Sequence, residues 1–223
     1  MSEHEERLAD VLATIEKAAR LSGRSANDVD LIAVSKTHAA EQIEPLLALG
    51  HRSFGENRVQ EAQGKWPNLR TRYRDVRLHM IGQLQSNKAE DAVALFDVIH
   101  SVDRASLAKA LGKAMGKSDK RPDCFVQVDI GDEPQKGGCP VNELPDFLAL
   151  CSDKGLPIVG LMCIPPADTE AAPYFALLRK LRDRHDLPCL SMGMSGDYET
   201  AIMLGATDVR VGTALFGARG TPL

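Results

Sequence analysis

Lys36, Ser195, Thr213 and Arg210 are the residues whose types and spacing could do chemistry together. Lys36 ends the apolar run of residues 31–34 in the stretch VDLIAVSKTHA. A lysine carried into an apolar setting is costly unless its charge is used or suppressed. Once deprotonated, which desolvation and a nearby cation both favour, its amine condenses with carbonyl carbons to form imines. Ser195 and Gly196 in MSGD, like Gly212 and Thr213 in VGTA, pair a hydroxyl donor with a glycine just before a helical pattern. Unpaired N–H groups at a helix start favour anions, so the two pairs read as a phosphate site. Either pair taken singly could be an ordinary helix cap. Arg210, in DVRVG, keeps its charge wherever it lies and needs partners. It serves either a structural ion pair, with Asp208 for instance, or a ligand beside the phosphate. An imine-forming lysine, an anion site and a cation between them together suggest a phosphorylated aldehyde. Pyridoxal phosphate fits, and so does a sugar phosphate in a Schiff-base aldolase.

Bringing these residues together requires a scaffold, and the hydropathy pattern describes one. An amphipathic helix comes first, with Leu8, Val11, Leu12, Ile15 and Ala18 on one face and Gly23 as its stop. Short apolar runs then alternate with helical patterns: LIAVS, HRSF, LHMIG, DVIHSV, CFVQVDI, PIVGLMCI, CLSMGM and DVRVG. Between them lie segments such as AAEQIEPLLALG, ASLAKALGKAMG, NELPDFLALCSDKG and YETAIMLGA, most of them ending at a glycine. Alternation of this kind means parallel pairing with right-handed crossovers. Eight units in a chain near the usual size of about 250 residues predict one α/β domain over residues 1–223, a (β/α)8 TIM barrel with an extra N-terminal helix. An open doubly wound sheet also alternates, but no Gly-x-Gly-x-x-Gly follows the first strand.

In such a barrel the active face lies where the strands end. Lys36 is at the first end, FGEN at the second, HMIGQLQSNK at the third, DIGDEPQKGG at the fifth, MCIPP at the sixth, GMSGD at the seventh and GTALFG at the eighth. The loops after strands seven and eight commonly hold a phosphate in this fold, and both glycine–hydroxyl pairs fall there. Alternation along DVRVG sends Val209 and Val211 toward the helices, and Asp208, Arg210 and Gly212 inward.

Composition removes other classes. The chain has 223 residues, is 43% hydrophobic and carries a net charge of -4, with Lys and Arg scattered rather than clustered, so there is no electrostatic footprint for nucleic acid. No apolar run reaches the roughly 18 residues of a membrane span. The N-terminus MSEHEERLAD is acidic where a signal peptide would be basic, and a cytoplasmic protein is expected. Five cysteines with no close pair point to neither a disulfide framework nor a metal site; most are expected in the core.

The stretches AVSKT, FGENRVQEA, HMIGQLQSNK, GLMCIPP, SMGMSGDYETAI and VRVGTALFGAR stand in this order over residues 29–219. In this the chain resembles the pyridoxal phosphate homeostasis protein family, single-barrel relatives of the alanine racemase N-terminal domain. The resemblance implies a fold-type III pyridoxal phosphate barrel with Lys36 as the imine-forming lysine. It implies that Ser195 and Thr213, with the backbone at Gly196 and Gly212, hold the phosphate. Arg210 would approach the pyridine nitrogen, Asn57 would lie near the ring hydroxyl, and His79 and Met162 would flank the ring. Family members often read Ser-Lys-Thr-Lys-Pro at the first strand end; here Thr37, His38 and Ala39 follow Lys36, and the missing proline should loosen the loop. Lys136 and Gly138, in the loop of residues 131–140, are family-like but receive no role.

An arginine at the pyridine nitrogen keeps that nitrogen unprotonated and weakens the electron sink, which disfavours transamination but leaves racemisation open. Alanine racemases place a second acid/base group, a tyrosine, on a C-terminal β domain. This chain ends at Leu223, and Tyr73, Tyr174 and Tyr198 are in helical or linking segments. The expectation is a protein that binds, stores and delivers pyridoxal 5'-phosphate rather than an enzyme, with a small amino-acid racemase as the alternative. Apo forms of pyridoxal phosphate enzymes are the expected recipients, and a monomer is expected rather than an obligate oligomer.

Overall fold

The computed structural model describes residues 2–133 and 137–217. Its elements run α1 (Glu3–Leu21), β1 (Asp30–Val34), α2 (Ala40–Ala48), β2 (Ser53–Glu56), α3 (Val59–Arg72), β3 (Arg77–Met80), α4 (Ala89–Leu95), β4 (Val98–Val102) and α5 (Ala105–Met115). There follow β5 (Asp123–Asp129), β6 (Cys139–Pro140), α6 (Leu144–Asp153), β7 (Ile158–Met162), α7 (Ala172–Arg184), β8 (Cys189–Met194), α8 (Tyr198–Met203), β9 (Asp208–Val211) and α9 (Thr213–Phe216).

Eight of these strands close a parallel barrel in the order β1, β2, β3, β4, β5, β7, β8, β9, with β1 pairing β9 to complete the ring. Among the described residues the two-residue β6 pairs with β5 alone, at the edge of the ring, so the seventh and eighth barrel strands are β8 and β9. Alternation sorts the side chains. Ala33, Phe54, Leu78, Ile99, Val126, Leu161, Leu190, Val209 and Val211 face the surrounding helices in one continuous core. Inside the barrel, Val98, Phe125 and Met162 form a separate small apolar cluster. The barrel is therefore filled rather than open along its length, as this fold requires.

Helix α1 is set by a capping box: the Ser2 side chain accepts from the Glu5 N–H and the Glu5 carboxylate from the Ser2 N–H. Leu8, Val11, Ile15 and Ala18 are buried as expected, but Leu12 is 47% exposed, turned away beside Val11. Gly23, at φ +71°, ends the helix, and Arg24 then donates to the carbonyls of Ile202 and Ala206. The second strand sits later than HRSF suggests. Register pairs Phe54 with Ala33 and Gly55 with Val34, so the strand runs on through Gly55 and Glu56. A Cβ at Gly55 would lie 2.9 Å from both Ile32 Cγ2 and Ile81 Cδ1, so glycine here is a packing requirement of the barrel interior. All five cysteines are free, and four are buried.

Candidate functional site

A cavity of about 530 Å³ opens at the C-terminal ends of the barrel strands. Lys36, Asn57, Ser195, Gly196, Arg210, Gly212 and Thr213 all line it, so the residues singled out in the sequence meet around one space. Among the described residues its lining contains one lysine, one arginine and no Asp or Glu.

Lys36 follows β1 in a loop held from behind. Thr37 has φ +66°, the left-handed region that costs a non-glycine residue about 1 kcal/mol or more. Its N–H donates to Glu61 at 2.5 Å. Lys65, 8% exposed on α3, donates to the carbonyls of Ser35 at 2.9 Å and His38 at 3.0 Å, the residues on either side of the Lys36–Thr37 pair. Lys65 also pairs with Glu56 at 2.8 Å and Glu61 at 3.0 Å. Glu56 Oε1 accepts in addition from the Ser35 hydroxyl and the Trp66 indole, and burial raises its pKa while Lys65 opposes the rise. These anchors hold the backbone on either side of Lys36, where the family's proline is missing. The i, i+4 spacing of Glu61 and Lys65 is visible in the sequence. That the pair reaches across to the carbonyls beside Lys36 is not.

The loops after β8 and β9, where the sequence predicts the anion, meet at one end of the cavity. Ser195 Oγ accepts the Gly212 N–H at 3.2 Å, which ties the two loops together and already uses that amide. Asp197, at the start of α8, accepts the Met194 N–H at 2.6 Å. Nothing lies within 4 Å of a Cβ placed on Gly196, so its backbone faces open space. The glycine that packing demands is Gly193, with φ +96° and a virtual Cβ 2.6 Å from Ala201 Cβ. It stands in the same GMSGD motif as Ser195 and Gly196, and nothing in the sequence distinguishes its packing role.

Arg210 is buried and reaches the cavity from β9. Its Nη1 donates to the Ser191 hydroxyl at 2.6 Å and its Nη2 to the Cys163 carbonyl at 2.8 Å. Among the described residues no carboxylate pairs with it; Asp208, the candidate for a structural ion pair, instead accepts from Thr207 at 2.6 Å. Desolvation lowers the pKa of the guanidinium from its ordinary value. Asn57 is set by Gly82, where a Cβ would fall 2.3 Å from the Asn57 carbonyl.

Two expected residues are elsewhere. His79 is fully buried below the cavity, bonded to Ser53 and His100, and Met162 belongs to the inner apolar cluster. Their strands point them inward one layer too deep, and Ile81 and Ile164, slightly farther along the chain, line the cavity instead. Gln127 and His38 also line it, the latter stacked on Phe216 at 4.4 Å. Gln127 had a signal, a lone amide in the apolar run CFVQVDI. Lys136 lies outside the described residues, as does Arg219.

The family model for the alanine racemase N-terminal domain matches residues 10–220. The pyridoxal phosphate homeostasis protein of Aquifex aeolicus (strain VF5) is 40% identical over 224 residues, covering 96% of this chain and 97% of that protein. The chain belongs to the pyridoxal phosphate homeostasis protein family. Another member, from Pseudomonas aeruginosa, is 41% identical, covering 98% of this chain and 97% of its own length. The structure of PipY from Synechococcus elongatus PCC7942 without PLP superposes with a TM-score of 0.84 at 40% identity, covering 95% of this chain and 99% of that one. The same protein with PLP bound gives a TM-score of 0.77, covering 92% of this chain and 100% of that one.

Proposed function

We propose that this member of the homeostasis family binds pyridoxal 5'-phosphate at Lys36, stores it and delivers it to apo forms of pyridoxal phosphate enzymes, without turning over a substrate. The observation that carries the reading is the charge of the cavity: among the described residues a lysine, an arginine and two hydroxyls line it, with no carboxylate, in a chain of net charge -4. The donor set fits the group at each end. Ser195 and Thr213, with the backbone at Gly196 and Gly212, would hold the phosphate, the Gly212 N–H by giving up Ser195 Oγ, which it meets at 3.2 Å. Asn57 would meet the ring hydroxyl, and Arg210 the ring nitrogen. When bound, pyridoxal phosphate supplies an aldehyde carbon that condenses with a primary amine, with loss of water.

The chain's own residues then act by binding and orienting. Lys65, Glu56 and Glu61 hold the backbone that carries Lys36. Arg210 sets a permanent cation against the ring nitrogen, which disfavours protonation there and so withholds the proton that carbanion chemistry draws on. No tyrosine lines the cavity, which supports binding over two-base racemisation. The names of the relatives and the PLP-bound structure of PipY support the same reading. The domain is taken as residues 1–223, acting as a monomer in the cytoplasm. Among the described residues no helix is long and apolar enough to cross a membrane.

Borohydride reduction of the loaded protein followed by peptide mapping tests the attachment. The modification is expected on Lys36, with Lys36→Ala folded but without the visible band; modification of another lysine would overturn the assignment. In parallel, the loaded protein should reactivate an added apoenzyme while alanine and other amino acids keep their chirality. Clear racemisation without transfer would replace the carrier by the racemase.

A further inference from the structure

Beneath the cavity a column of polar side chains runs through the barrel from Arg210 to the opposite end. Arg210 Nη1 meets Ser191 Oγ at 2.6 Å, Ser191 Oγ meets His100 Nδ1 at 2.8 Å, and His100 Nε2 meets His79 Nδ1 at 2.9 Å. His79 Nε2 then meets Ser53 Oγ at 3.0 Å, and Ser53 Oγ meets Asp30 Oδ2 at 2.9 Å. Six strands contribute one residue each: β9, β8, β4, β3, β2 and β1. Only Arg210 lines the cavity, and the function assigned to the site uses none of the others.

We propose that Ser191, His100, His79, Ser53 and Asp30 form a one-way hydrogen-bond column that positions Arg210 for the ring nitrogen of the ligand, an inference that rests on the pyridoxal phosphate reading. The direction follows from the ends. A guanidinium can only donate, and a carboxylate can only accept. Each of the four groups between them, taken neutral, has one proton to give along the column. The five contacts therefore need five protons, one from Arg210 and one from each intermediate, and all are made only if every bond runs from Arg210 toward Asp30. Both imidazoles then carry their proton on Nε2 and accept at Nδ1. In the reverse sense Ser53 would turn its proton to His79, leaving Asp30 without it, and Ser191 would accept twice with its own proton unplaced.

Burial agrees with neutral rings: it takes the pKa of His79 down to about 3 and that of His100 well below its usual value. The His100 ring is further fixed by stacking on Phe125, with centroids 4.4 Å apart and planes 8° from parallel. The consequence for the site is electrostatic. Among the described residues Arg210 is held by a hydroxyl and a carbonyl, and Asp197 and Asp208 act on it only through space, so no carboxylate neutralises its charge by direct contact at the cavity.

Two measurements test this. The first is long-range nitrogen–proton NMR of the histidine rings in the full loaded chain between pH 5 and 8, before and after EDTA. Both buried rings are expected neutral with the proton on Nε2 and unchanged by EDTA. A proton on Nδ1, a charged ring, or a response to EDTA, which would place a metal between His79, His100 and Asp208, overturns the column. The second compares His100→Phe and the milder Ser191→Ala by equilibrium affinity for pyridoxal phosphate and for an analogue with C–H in place of the ring nitrogen. Each folded variant is expected to lose about ten-fold for pyridoxal phosphate and less than about two-fold for the analogue. Equal losses for both ligands would make the column merely structural. A native protein that bound neither ligand would sink the pyridoxal phosphate reading, and the ring tautomers would still decide the column.

Discussion

Behind Lys36 the fold uses charge, and behind Arg210 it uses neutral groups. The loop carrying Lys36 is pinned by a buried ion-pair cluster in which Lys65 engages both Glu56 and Glu61 and two backbone carbonyls. Arg210 leans on a serine, a carbonyl and two histidines that burial keeps uncharged. In both regions the carboxylates stay off the cavity wall: Glu56 and Glu61 serve Lys65, and Asp30 stands at the far end of the barrel. The difference teaches that acidic residues can support the backbone behind a cavity whose described wall carries none, provided another cation occupies them.

The largest expected effect comes from breaking the charged side. Lys65→Met leaves Glu56 buried without its cation, and its Oε2 already lacks a hydrogen-bond partner. Removing one member of a buried pair costs about 3–5 kcal/mol. Denaturant unfolding should show a loss of that order, with part of it recovered in Lys65→Met/Glu56→Gln. A loss below about 1 kcal/mol would mean that the clamp contributes little.

The neutral side is sharpened by pH. Both imidazoles have folded pKa values below their ordinary 6.5, so as pH falls through about 6.5 the unfolded chain takes up protons that the native state refuses. Each such histidine therefore removes stability from about pH 6.5 downward, for His79 until its folded value of about 3. Asp208, raised from 3.8 to about 6, acts in the opposite sense, because the native state holds its proton longer; that contribution is lost as pH rises through about 6. Glu56, also raised, acts like Asp208. The difference between native protein and His79→Phe isolates one ring. Between pH 4 and 6 the slope of the variant's unfolding free energy against pH should be more negative than that of the native protein by about 1.4 kcal/mol per unit. Parallel curves would show that His79 is charged in the fold.

At the anion end neither device operates, and effects on binding should be smaller. On the proposed reading Ser195→Ala and Thr213→Val each remove a hydroxyl donor to a phosphate oxygen, worth about 1.5–3 kcal/mol, or roughly ten- to hundred-fold in affinity for pyridoxal phosphate. Unchanged titrations of both variants would put the phosphate elsewhere. The smallest effect separates two glycines of one motif. Gly196→Ala meets nothing and should change stability by under about 0.5 kcal/mol, whereas Gly193→Ala forces a Cβ into the left-handed region against Ala201 and should cost about 1–3 kcal/mol. Equal melting temperatures would contradict the close approach of this loop to α8.

Sequence by itself determined the barrel, because strands followed by helices can pair in parallel with right-handed crossovers in few ways. It also brought Lys36, Asn57, Ser195, Gly196, Arg210, Gly212 and Thr213 to one end, because strand ends and the loops after them share a face in that fold. It determined which way Arg210 points, since Val209 and Val211 must face the helices. Depth along the barrel axis was not legible. Period-two alternation says inward or outward, but the height of an inward residue depends on the stagger between neighbouring strands, which closure of the ring sets. Alternation alone therefore places His79 and Met162 one layer too high, in the positions that Ile81 and Ile164 take at the cavity. Only the tertiary structure decided that Lys65 reaches the carbonyls beside Lys36, or that six strands align Asp30, Ser53, His79, His100, Ser191 and Arg210 in one line. Those contacts join residues far apart in the chain, and the hydrogen bonds that select them exist only once the ring has closed and water has been excluded from its interior.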